Sequence, residues 1–371
     1  STDKMPLAPH EFALMDMLFS NSEAFLSRPQ PGYETCRYVF FPGCQAGAIA
    51  PDVVMQAYED LSNRVDRGVA LMLGCCGAIS EWAGRYEMTE KVNEQLKQEL
   101  ARLGDPIIIA GCPSCMKQLK ESIGAHVIGI WEILREIGLP QQAKGLEIPV
   151  AIHDACGARG DAQTQDMIRQ LLSDMGCIVE DTEYSRDLSP CCGYGGLTAY
   201  ANKDMAAKMT EKCLERSDAP YITYCMACRD RFAREGRESR HILELLYGAN
   251  ASNMPDISEK RYNRLELKEK LLKNIWNEEL MMEKKDYTVA YTEDAISMMD
   301  ERMILKSDVE RVLSDYRENQ EAIFDEETKE LVTRSRLGNV TFWVRFVETE
   351  EGYLVRRAYS HRMNIMKRVG Q

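Results

Sequence analysis

Cysteines recur in a fixed order along this chain, and the order is present twice. In the later occurrence Cys156 is followed by the adjacent pair Cys191 and Cys192, and then by Cys225 and Cys228, which two residues separate. The earlier occurrence repeats this order at offsets of 112 to 116 residues, with Cys44, Cys75, Cys76, Cys112 and Cys115. Ten of the thirteen cysteines belong to the doubled pattern, which predicts one type of site made twice.

Five thiols in each copy indicate metal or redox chemistry. Five cannot all pair as disulfides within a copy, and five exceeds the four ligands of a structural zinc ion. Thiolates select soft metals, so zinc, copper(I) and iron–sulfur clusters are the candidates. Each Cys-x-x-Cys pair could also act as a redox dithiol at the start of a helix. The compact cysteine run of ferredoxins is absent from the sequence.

The composition narrows the class of protein. The chain has 371 residues, of which 44% are hydrophobic, and this length allows about two or three domains. A net charge of −13 argues against a nucleic-acid partner, because phosphate binding needs a basic surface. We expect neither a membrane span nor a signal peptide, since no long apolar run and no leader pattern occur. Many cysteines without a secretory signal predict a reducing, cytoplasmic location.

Short apolar runs predict strands in each copy, and most of them lead directly into the cysteines. These runs are Tyr38–Phe41, Val69–Leu73, Pro106–Ala110, Pro149–His153, Cys177–Val179 and Pro220–Tyr224. The segments between them have helical spacing, and the main ones are Pro51–Arg64, Tyr86–Leu103, Met116–Ile123, Thr164–Met175 and Ala199–Arg216. Alternating strands and helices predict a parallel sheet, in which ligands lie outside the carboxyl ends of the strands. Cysteines some thirty residues apart should therefore meet at one sheet edge.

The remaining segments predict other elements. Residues 1–35 form a helical arm that packs on the body or docks a partner, with a second short helix near Glu23–Leu26. Residues 249–286 form a helical linker, with a helix over Tyr262–Glu283. Residues 287–371 form a small α+β unit without cysteine, for which an interaction module is preferred over a stability element.

The α+β unit is predicted in more detail. Its two short helices span Ala295–Met303 and Ser307–Asp315, with Ser307 as the cap of the second. Four strands follow as an antiparallel meander, with turns at Gly338-Asn339 and Glu351-Gly352. Its arginines give it a locally basic surface.

Residues 36–248 resemble the tandem cysteine-rich CCG domains of the B subunit of heterodisulfide reductase. Relatives of that subunit include iron–sulfur subunits of glycolate, lactate and glycerol-3-phosphate oxidation systems. The matching segments are Phe41–Cys44, Gly111–Cys115, His153–Cys156 and Cys191–Gly196. The resemblance implies two pseudo-symmetric CCG-type α/β repeats, at residues 36–147 and 148–248, each with a short parallel sheet.

The resemblance also implies a cofactor for each repeat. One noncubane 4Fe-4S cluster would be held by Cys44, Cys75, Cys76, Cys112 and Cys115. A second would be held by Cys156, Cys191, Cys192, Cys225 and Cys228. A family variant with one cluster and a zinc ion is the alternative, but both sets are complete here. The two clusters would share a cavity in which a disulfide is reductively cleaved, a reaction typical of anaerobic metabolism.

We expect electrons to come from a partner subunit that carries cubane clusters or flavin, because this chain has neither a ferredoxin run nor a dinucleotide-binding glycine motif. The other partner would be a small-molecule disulfide or thiol. Two alternatives stay open: an electron-transfer subunit of a 2-hydroxyacid or quinone-linked dehydrogenase, and a zinc-stabilised scaffold without redox function.

Candidate catalytic residues flank the cysteines. His153 could supply the proton that a thiol product needs, or it could orient the Cys156 loop. Arg159 could recognise an anionic substrate, or it could bond to neighbouring backbone, and Tyr194 and Arg229 have similar positions. In the family, proline and histidine often flank the cysteine that corresponds to Cys156, whereas this chain has Ala155 and Gly157 there. The cysteines outside the pattern are expected to be core or surface thiols; they are Cys36, Cys177 and Cys213.

Overall fold

The computed structural model describes residues 9–248, 254–279, 286–337 and 340–361. The chain divides into two compact units. The first, here called the cysteine unit, is Asp16–Leu280, and it contains all thirteen cysteines. The second, here called the cysteine-free unit, is Ser1–Met15 with Met281–Gln371. In the described part of the chain, no helix has the length and apolar character that crossing a membrane requires.

The first sheet of the cysteine unit has a parallel core. Its strands are β1 (Leu26–Arg28), β2 (Tyr38–Phe41), β3 (Val69–Leu73), β4 (Ile107–Ala110) and β5 (Val127–Gly129). They lie in the order β1-β3-β2-β4-β5, and every pairing is parallel except that of β1 with β3. The helix α1 (Pro9–Ser20) belongs to this unit from Asp16 onward. The other helices of this part are α2 (Cys44–Ile49), α3 (Pro51–Arg64), α4 (Ala78–Trp82), α5 (Tyr86–Arg102), α6 (Pro113–Ile123) and α7 (Ile130–Ile137).

The second sheet repeats this arrangement. Its strands are β6 (Pro149–His153), β7 (Ile178–Asp181), β8 (Tyr221–Thr223) and β9 (Ser239–His241), all parallel, in the order β7-β6-β8-β9. Its helices are α8 (Ala162–Asp174), α9 (Thr198–Ala201), α10 (Lys203–Leu214), α11 (Met226–Arg234) and α12 (Ile242–Leu246). Four strands of each sheet therefore have the same order, and the predicted fold class of two pseudo-symmetric α/β repeats is confirmed.

Burial explains why these strands form. Every residue of β2 and β3 is buried, as expected for strands that helices cover on both faces. The order reverses beside the first strand of each repeat, and a crevice at such a reversal is where α/β sheets bind ligands. In the first repeat Cys44 and Cys112 follow the two strands on either side of this reversal, β2 and β4.

The segment predicted as a linker contains α13 (Ile257–Trp276), which packs on the first repeat. The Asn263 side chain donates to the Ala48 carbonyl at 2.8 Å. At the end of the helix, the Trp276 ring stacks on Tyr58 with centroids 5.8 Å apart. The helix ends at Trp276, before the predicted Glu283, because Asn277 adopts a left-handed conformation that closes it. Residues 280–285 lie outside the described residues.

Two predicted helices of the cysteine unit are wrong. Residues 21–24 form a turn, and Leu26 begins β1 instead of ending a helix, because pairing with β3 satisfies its backbone. The predicted helix Ala199–Arg216 is interrupted at Asn202. The side-chain Oδ1 of Asn202 accepts the Met205 N–H at 2.9 Å and caps α10, so α9 and α10 are separate. The strand β9 was not predicted, and α6 begins three residues earlier than predicted, at Pro113.

The cysteine-free unit is an α+β fold, and its predicted antiparallel meander is confirmed. Its elements are β10 (Thr288–Tyr291), α14 (Glu293–Arg302), α15 (Lys306–Asn319), β11 (Ile323–Asp325), β12 (Glu330–Leu337), β13 (Val340–Thr349) and β14 (Gly352–His361). The sheet order is β10-β14-β13-β12-β11. The unpredicted β10 pairs in parallel with β14 at one edge, whereas the other pairings are antiparallel.

Capping of α15 differs from the prediction. Ser307 lies inside the first turn, and the Asp308 carboxylate instead accepts the Leu305 backbone N–H at 3.2 Å. The predicted turn at Gly338-Asn339 lies outside the described residues.

Phe346 tests the core of the cysteine-free unit. Its ring is fully buried and contacts Tyr316 and Tyr353, with centroids 4.9 and 5.3 Å away. Phe346→Ala should lower the free energy of unfolding of this unit by about 3–5 kcal/mol, because it leaves a cavity. Chemical denaturation followed by Trp343 fluorescence measures this change. The control Ile323→Ala, at a side chain that is 66% exposed, should stay within about 0.5 kcal/mol. Equal effects of the two changes would contradict the packing described.

Candidate metal centre

The ten patterned cysteines lie at the carboxyl ends of the parallel strands. Cys44 opens α2 after β2, and Cys75 and Cys76 lie between β3 and α4. Cys112 and Cys225 occupy the position before the first residue of α6 and of α11. The second repeat differs in one connection, because β7 ends at Asp181 and nine residues separate it from Cys191. The backbone therefore brings the distant cysteines together at the predicted sheet edge.

Neighbouring thiols of the first repeat lie within hydrogen-bonding range of one another. The contacts join Cys44 to Cys75, Cys75 to Cys76, Cys76 to Cys115 and Cys115 to Cys112. All five thiols thus form one continuous row, here called row 1.

The second repeat forms an equivalent row, here called row 2. Its contacts join Cys156 to Cys191, Cys191 to Cys192, Cys192 to Cys228 and Cys228 to Cys225. The Sγ atoms of Cys192 and Cys228 are 3.2 Å apart.

The two rows meet end to end. The Cys112 thiol of row 1 lies within interaction range of the Cys225 thiol of row 2, and each shifts the pKa of the other. Both residues precede a helix, so two helix N-termini converge on this contact. We call it the junction. It makes the ten thiols one connected group, although Cys112 and Cys225 are 113 positions apart in sequence.

All thirteen cysteines are free thiols, and most of the patterned ones are buried. The partly exposed residues of the rows are Cys44, Cys112, Cys156 and Cys191. The cysteines outside the pattern are buried core thiols, as predicted: Cys36, Cys177 and Cys213. Cys213 Sγ also donates to the Cys191 carbonyl at 3.5 Å.

Close contact between the thiols shifts their pKa values in different directions. Hydrogen bonds from Cys115 and Cys75 lower the pKa of Cys76 to about 6. In row 2, hydrogen bonds from Cys156 and Cys192 lower the pKa of Cys191 to about 2, and the resulting thiolate raises the pKa of Cys192 to about 12. Adjacent thiolates repel one another, so they cannot all form in the metal-free protein.

This donor set fits a polynuclear cationic centre. Iron bound to the rows would supply positive charge that lets every thiol ionise. Among the described residues, no three His, Cys, Asp or Glu side chains surround a common point in the way that a single metal ion requires. The thiols instead extend along each row.

Side chains outside the repeats fix the cysteine backbone. The Asn21 side chain accepts the Cys75 N–H at 2.7 Å and donates to the Cys75 carbonyl at 3.2 Å. Arg264 of α13 donates to the Cys44 carbonyl at 3.0 Å, and it is held by the buried carboxylate of Asp16 at 2.8 and 3.0 Å. Sequence reasoning did not identify these three residues, because an asparagine and an ion pair far away in sequence carry no local motif.

Asp154 hydrogen-bonds with three segments that position the cysteines of row 2. Its buried carboxylate accepts from the Arg169 guanidinium at 2.8 and 3.0 Å, from the Arg186 N–H at 2.6 Å and from the Tyr224 hydroxyl at 2.9 Å. Asp154 itself belongs to the Cys156 loop, Arg186 to the loop before Cys191, and Tyr224 directly precedes Cys225. Burial opposes ionisation, but the Arg169 contacts keep the Asp154 pKa below its usual value.

The predicted catalytic residues have contrasting surroundings. His153 is buried against Phe232, its ring Nε2 lacks a hydrogen-bond partner within the described residues, and burial lowers its pKa to about 4. Arg159 is exposed and donates to the carbonyls of Asp187 and Ser189 at 3.0 and 2.7 Å, so it holds the loop that leads to Cys191.

The other two flanking residues also differ from each other. Tyr194 of the second repeat lies near the Cys44 thiol of the first; burial raises its pKa, and the Cys44 charge adds to the effect. Arg229 is buried and pairs with the Glu244 carboxylate at 3.4 Å.

Gly157, which departs from the family pattern, lies against the first repeat. A Cβ atom at this position would be 2.8 Å from both the backbone nitrogen and the Oγ of Ser114, in the turn between Cys112 and Cys115. Any side chain here would push the cysteine loops of the two repeats apart.

The Asp154 contacts predict a pH-dependent contribution to stability. Asp154→Asn should lower the free energy of unfolding by about 3 kcal/mol, because it removes the charge that Arg169 faces in a buried site. Since folding lowers the Asp154 pKa, the wild-type contribution should be present above about pH 4 and be lost as pH falls below it. Urea denaturation at pH 7 and at pH 3 measures both. The exposed Asp166→Asn serves as the control and should change little; a similar loss there would contradict the assignment.

The Gly157 contact predicts sensitivity to one added methyl group. Gly157→Ala should cost about 1–3 kcal/mol of stability through overpacking and should reduce the metal content. Gly160→Ala is the matched control, since a Cβ there meets open space and only the left-handed backbone, at φ 81°, costs about 1 kcal/mol. Thermal unfolding and metal analysis compare the two; full metal content in Gly157→Ala would overturn this reading of the contact.

Comparison with known proteins agrees with this geometry. Two segments match the family model of the CCG cysteine-rich domain, at residues 38–120 and 150–232. No curated protein matches the chain. The matched segments contain rows 1 and 2 respectively. The chain therefore carries two CCG cysteine-rich domains, and such domains indicate iron–sulfur binding and electron transfer.

Proposed function

We propose that this chain is an iron–sulfur oxidoreductase subunit that reductively cleaves, or forms, a disulfide at two noncubane 4Fe-4S clusters. Row 1 would hold one cluster and row 2 the other. The chain would act within a complex, like the B subunit of heterodisulfide reductase. The resemblance noted in the sequence and the two CCG domains support this proposal.

The observation that carries the proposal is the junction of the two rows. The two sulfurs of a disulfide are about 2.05 Å apart, so two metal centres can each receive one sulfur only if they are adjacent. Contact between Cys112 and Cys225 would make them adjacent. Partly exposed thiols on both rows would let a small molecule approach them.

The reaction consumes two electrons and two protons per disulfide and yields two thiols. When bound, the clusters would supply the electrons and the iron atoms at which sulfur is held. The rows position these centres. His153 and Tyr194 remain uncharged at neutral pH, since burial lowers the histidine pKa and raises the tyrosine pKa. We propose that they present hydrogen-bond donors to product sulfur, and that Arg159 acts indirectly through the loop before Cys191.

Electrons would come from a partner subunit with cubane clusters or flavin. The ten patterned cysteines form rows 1 and 2, and the sequence has no separate ferredoxin run that could hold a cubane relay.

Iron content tests the proposal. Protein purified without oxygen should contain about eight iron and eight sulfide per chain, four of each per cluster. Cys76→Ala and Cys192→Ala should each lose about half of the iron, because each change removes a ligand of one cluster only. Cys36→Ala, at a buried thiol outside both rows, should lose none. Colorimetric iron and sulfide assays measure the content.

Spectroscopy and turnover separate the alternatives. EPR spectra that change when a thiol is added, together with disulfide turnover in the reconstituted complex, would support the proposal. Full iron without turnover of any disulfide would favour the electron-transfer subunit of a 2-hydroxyacid or quinone-linked dehydrogenase. Zinc near two per chain without iron would establish a scaffold instead and refute the redox function.

A further inference from the structure

One face of the sheet in the cysteine-free unit points away from both helices of that unit, α14 and α15. The two helices pack against the core side chains of β13, which are Val340, Phe342, Val344 and Phe346. Because side chains alternate along a strand, the residues between these point to the opposite side. The register brings three cross-strand sets together there: Val332–Arg345–Arg357, Arg334–Trp343–Tyr359 and Arg336–Thr341–His361. We call these nine residues the outer face.

The outer face is basic, although the whole chain has a net charge of −13. Four of its nine residues are arginines. Arg345 pairs with the carboxylates of Asp325 and Glu330, so its charge is neutralised within the sheet. Arg334 and Arg357 are exposed, and neither forms an ion pair with another described residue. These two arginines therefore leave positive charge on the outer face.

Aromatic side chains hold Arg334 in position. The guanidinium carbon of Arg334 lies 5.1 Å from the centroid of the Trp343 ring. The Trp343 ring is within 5° of parallel to the Tyr359 ring, and its Nε1 donates to His361 Nε2 at 2.7 Å. A cation held against a fixed ring loses less conformational freedom when it binds an anion. Tryptophan, tyrosine and arginine are also the residues that contribute most to binding at protein interfaces.

The spacing of the arginines favours an extended acidic protein segment as the ligand. Alternate residues of a strand are about 6.6–6.8 Å apart, so Arg334 and Arg336 match carboxylates at alternate positions of an extended chain. Each such pair would form charge-assisted hydrogen bonds. Nucleic acid fits less well, because its many phosphates would meet a chain of net charge −13. Arg334 also covers one face of the Trp343 ring, on which a base would have to stack.

We propose that the outer face docks an acidic segment of a partner protein, with Arg334, Arg336 and Arg357 binding its carboxylates. Trp343 and Tyr359 would form the centre of the contact. Docking does not depend on iron–sulfur chemistry, because the cysteine-free unit contains no thiol. The sequence favoured an interaction module for this unit, and the outer face supplies a surface for that role.

The probe is a short fluorescein-labelled peptide in which glutamate alternates with threonine, a residue that favours the extended conformation. A second peptide with glutamine in place of glutamate has the same shape without the charge. Fluorescence anisotropy measures the binding of each peptide to the full chain. The glutamate peptide should bind about tenfold more tightly than the glutamine peptide at low salt, and its affinity should fall as salt screens the exposed charges.

Substitutions identify the surface that binds the peptide. Arg334→Gln should weaken binding of the glutamate peptide about tenfold, because a charge-assisted hydrogen bond is lost. Arg311→Gln makes the same change at an exposed arginine of α15, on the helical side of the sheet, and should match wild type. Arg334→Glu combined with Arg336→Glu should instead prefer a peptide with lysine in place of glutamate. Circular dichroism and thermal unfolding check that each variant is folded.

Other outcomes would overturn the proposal. Equal affinity of wild type for the glutamate and glutamine peptides would do so, as would equal weakening by Arg334→Gln and Arg311→Gln. Tighter binding of single-stranded oligothymidylate than of the glutamate peptide would assign the outer face to nucleic acid instead. Photo-crosslinking needs no variant: a glutamate peptide with a photoreactive group should label residues of β12, β13 or β14 in wild-type protein, as located by mass spectrometry. Labelling confined to other segments would contradict docking at the outer face.

Discussion

The constraint on which the structure depends is the close packing of ten thiols in a buried place. Each thiol in contact with the next can lose its proton only at its neighbour's expense, so a few thiols have a lowered pKa, among them Cys76 and Cys191, whereas most of the others have a raised pKa. An unmetallated protein holds this arrangement with part of its sulfur uncharged. A cationic centre removes the conflict, because positive charge stabilises every thiolate at once. The rest of the cysteine unit keeps these sulfurs in place in spite of their repulsion.

The fold opposes this repulsion with polar contacts to the backbone of the cysteine loops. The Asn21 side chain hydrogen-bonds with both the N–H and the carbonyl of Cys75. Arg264 donates to the carbonyl of Cys44. In row 2, Thr210 donates to the Cys192 carbonyl at 2.8 Å, and Asp154 joins three loops. These contacts leave the thiols themselves available for metal. They also explain why segments before and after the two domains are part of the same compact unit.

Pseudo-symmetry in the backbone does not extend to the surroundings of the two rows. The second repeat places polar side chains at the ends of its strands, with His153 on β6 and His241 on β9, whereas Phe41 and Gly129 end the corresponding strands of the first. The two repeats also contact each other closely, since Gly157 leaves room for the Ser114 turn. If each row holds a cluster as proposed, the two clusters would therefore differ in reduction potential.

The sequence by itself determined the fold class and the sheet edge at which the patterned cysteines lie, because both depend on local patterns. Apolar runs before each cysteine group predict buried strands, and parallel strands bring their following loops to one edge. It could not determine which thiols touch, because the junction of Cys112 and Cys225 arises from packing of two repeats. The sequence likewise did not identify Asn21, Asp16 and Arg264, because they reach the cysteine loops only through tertiary packing. Local propensity also failed where a tertiary partner decided the outcome: pairing with β3 made a strand of Leu26–Arg28, and a side-chain cap at Asn202 divided one predicted helix into two.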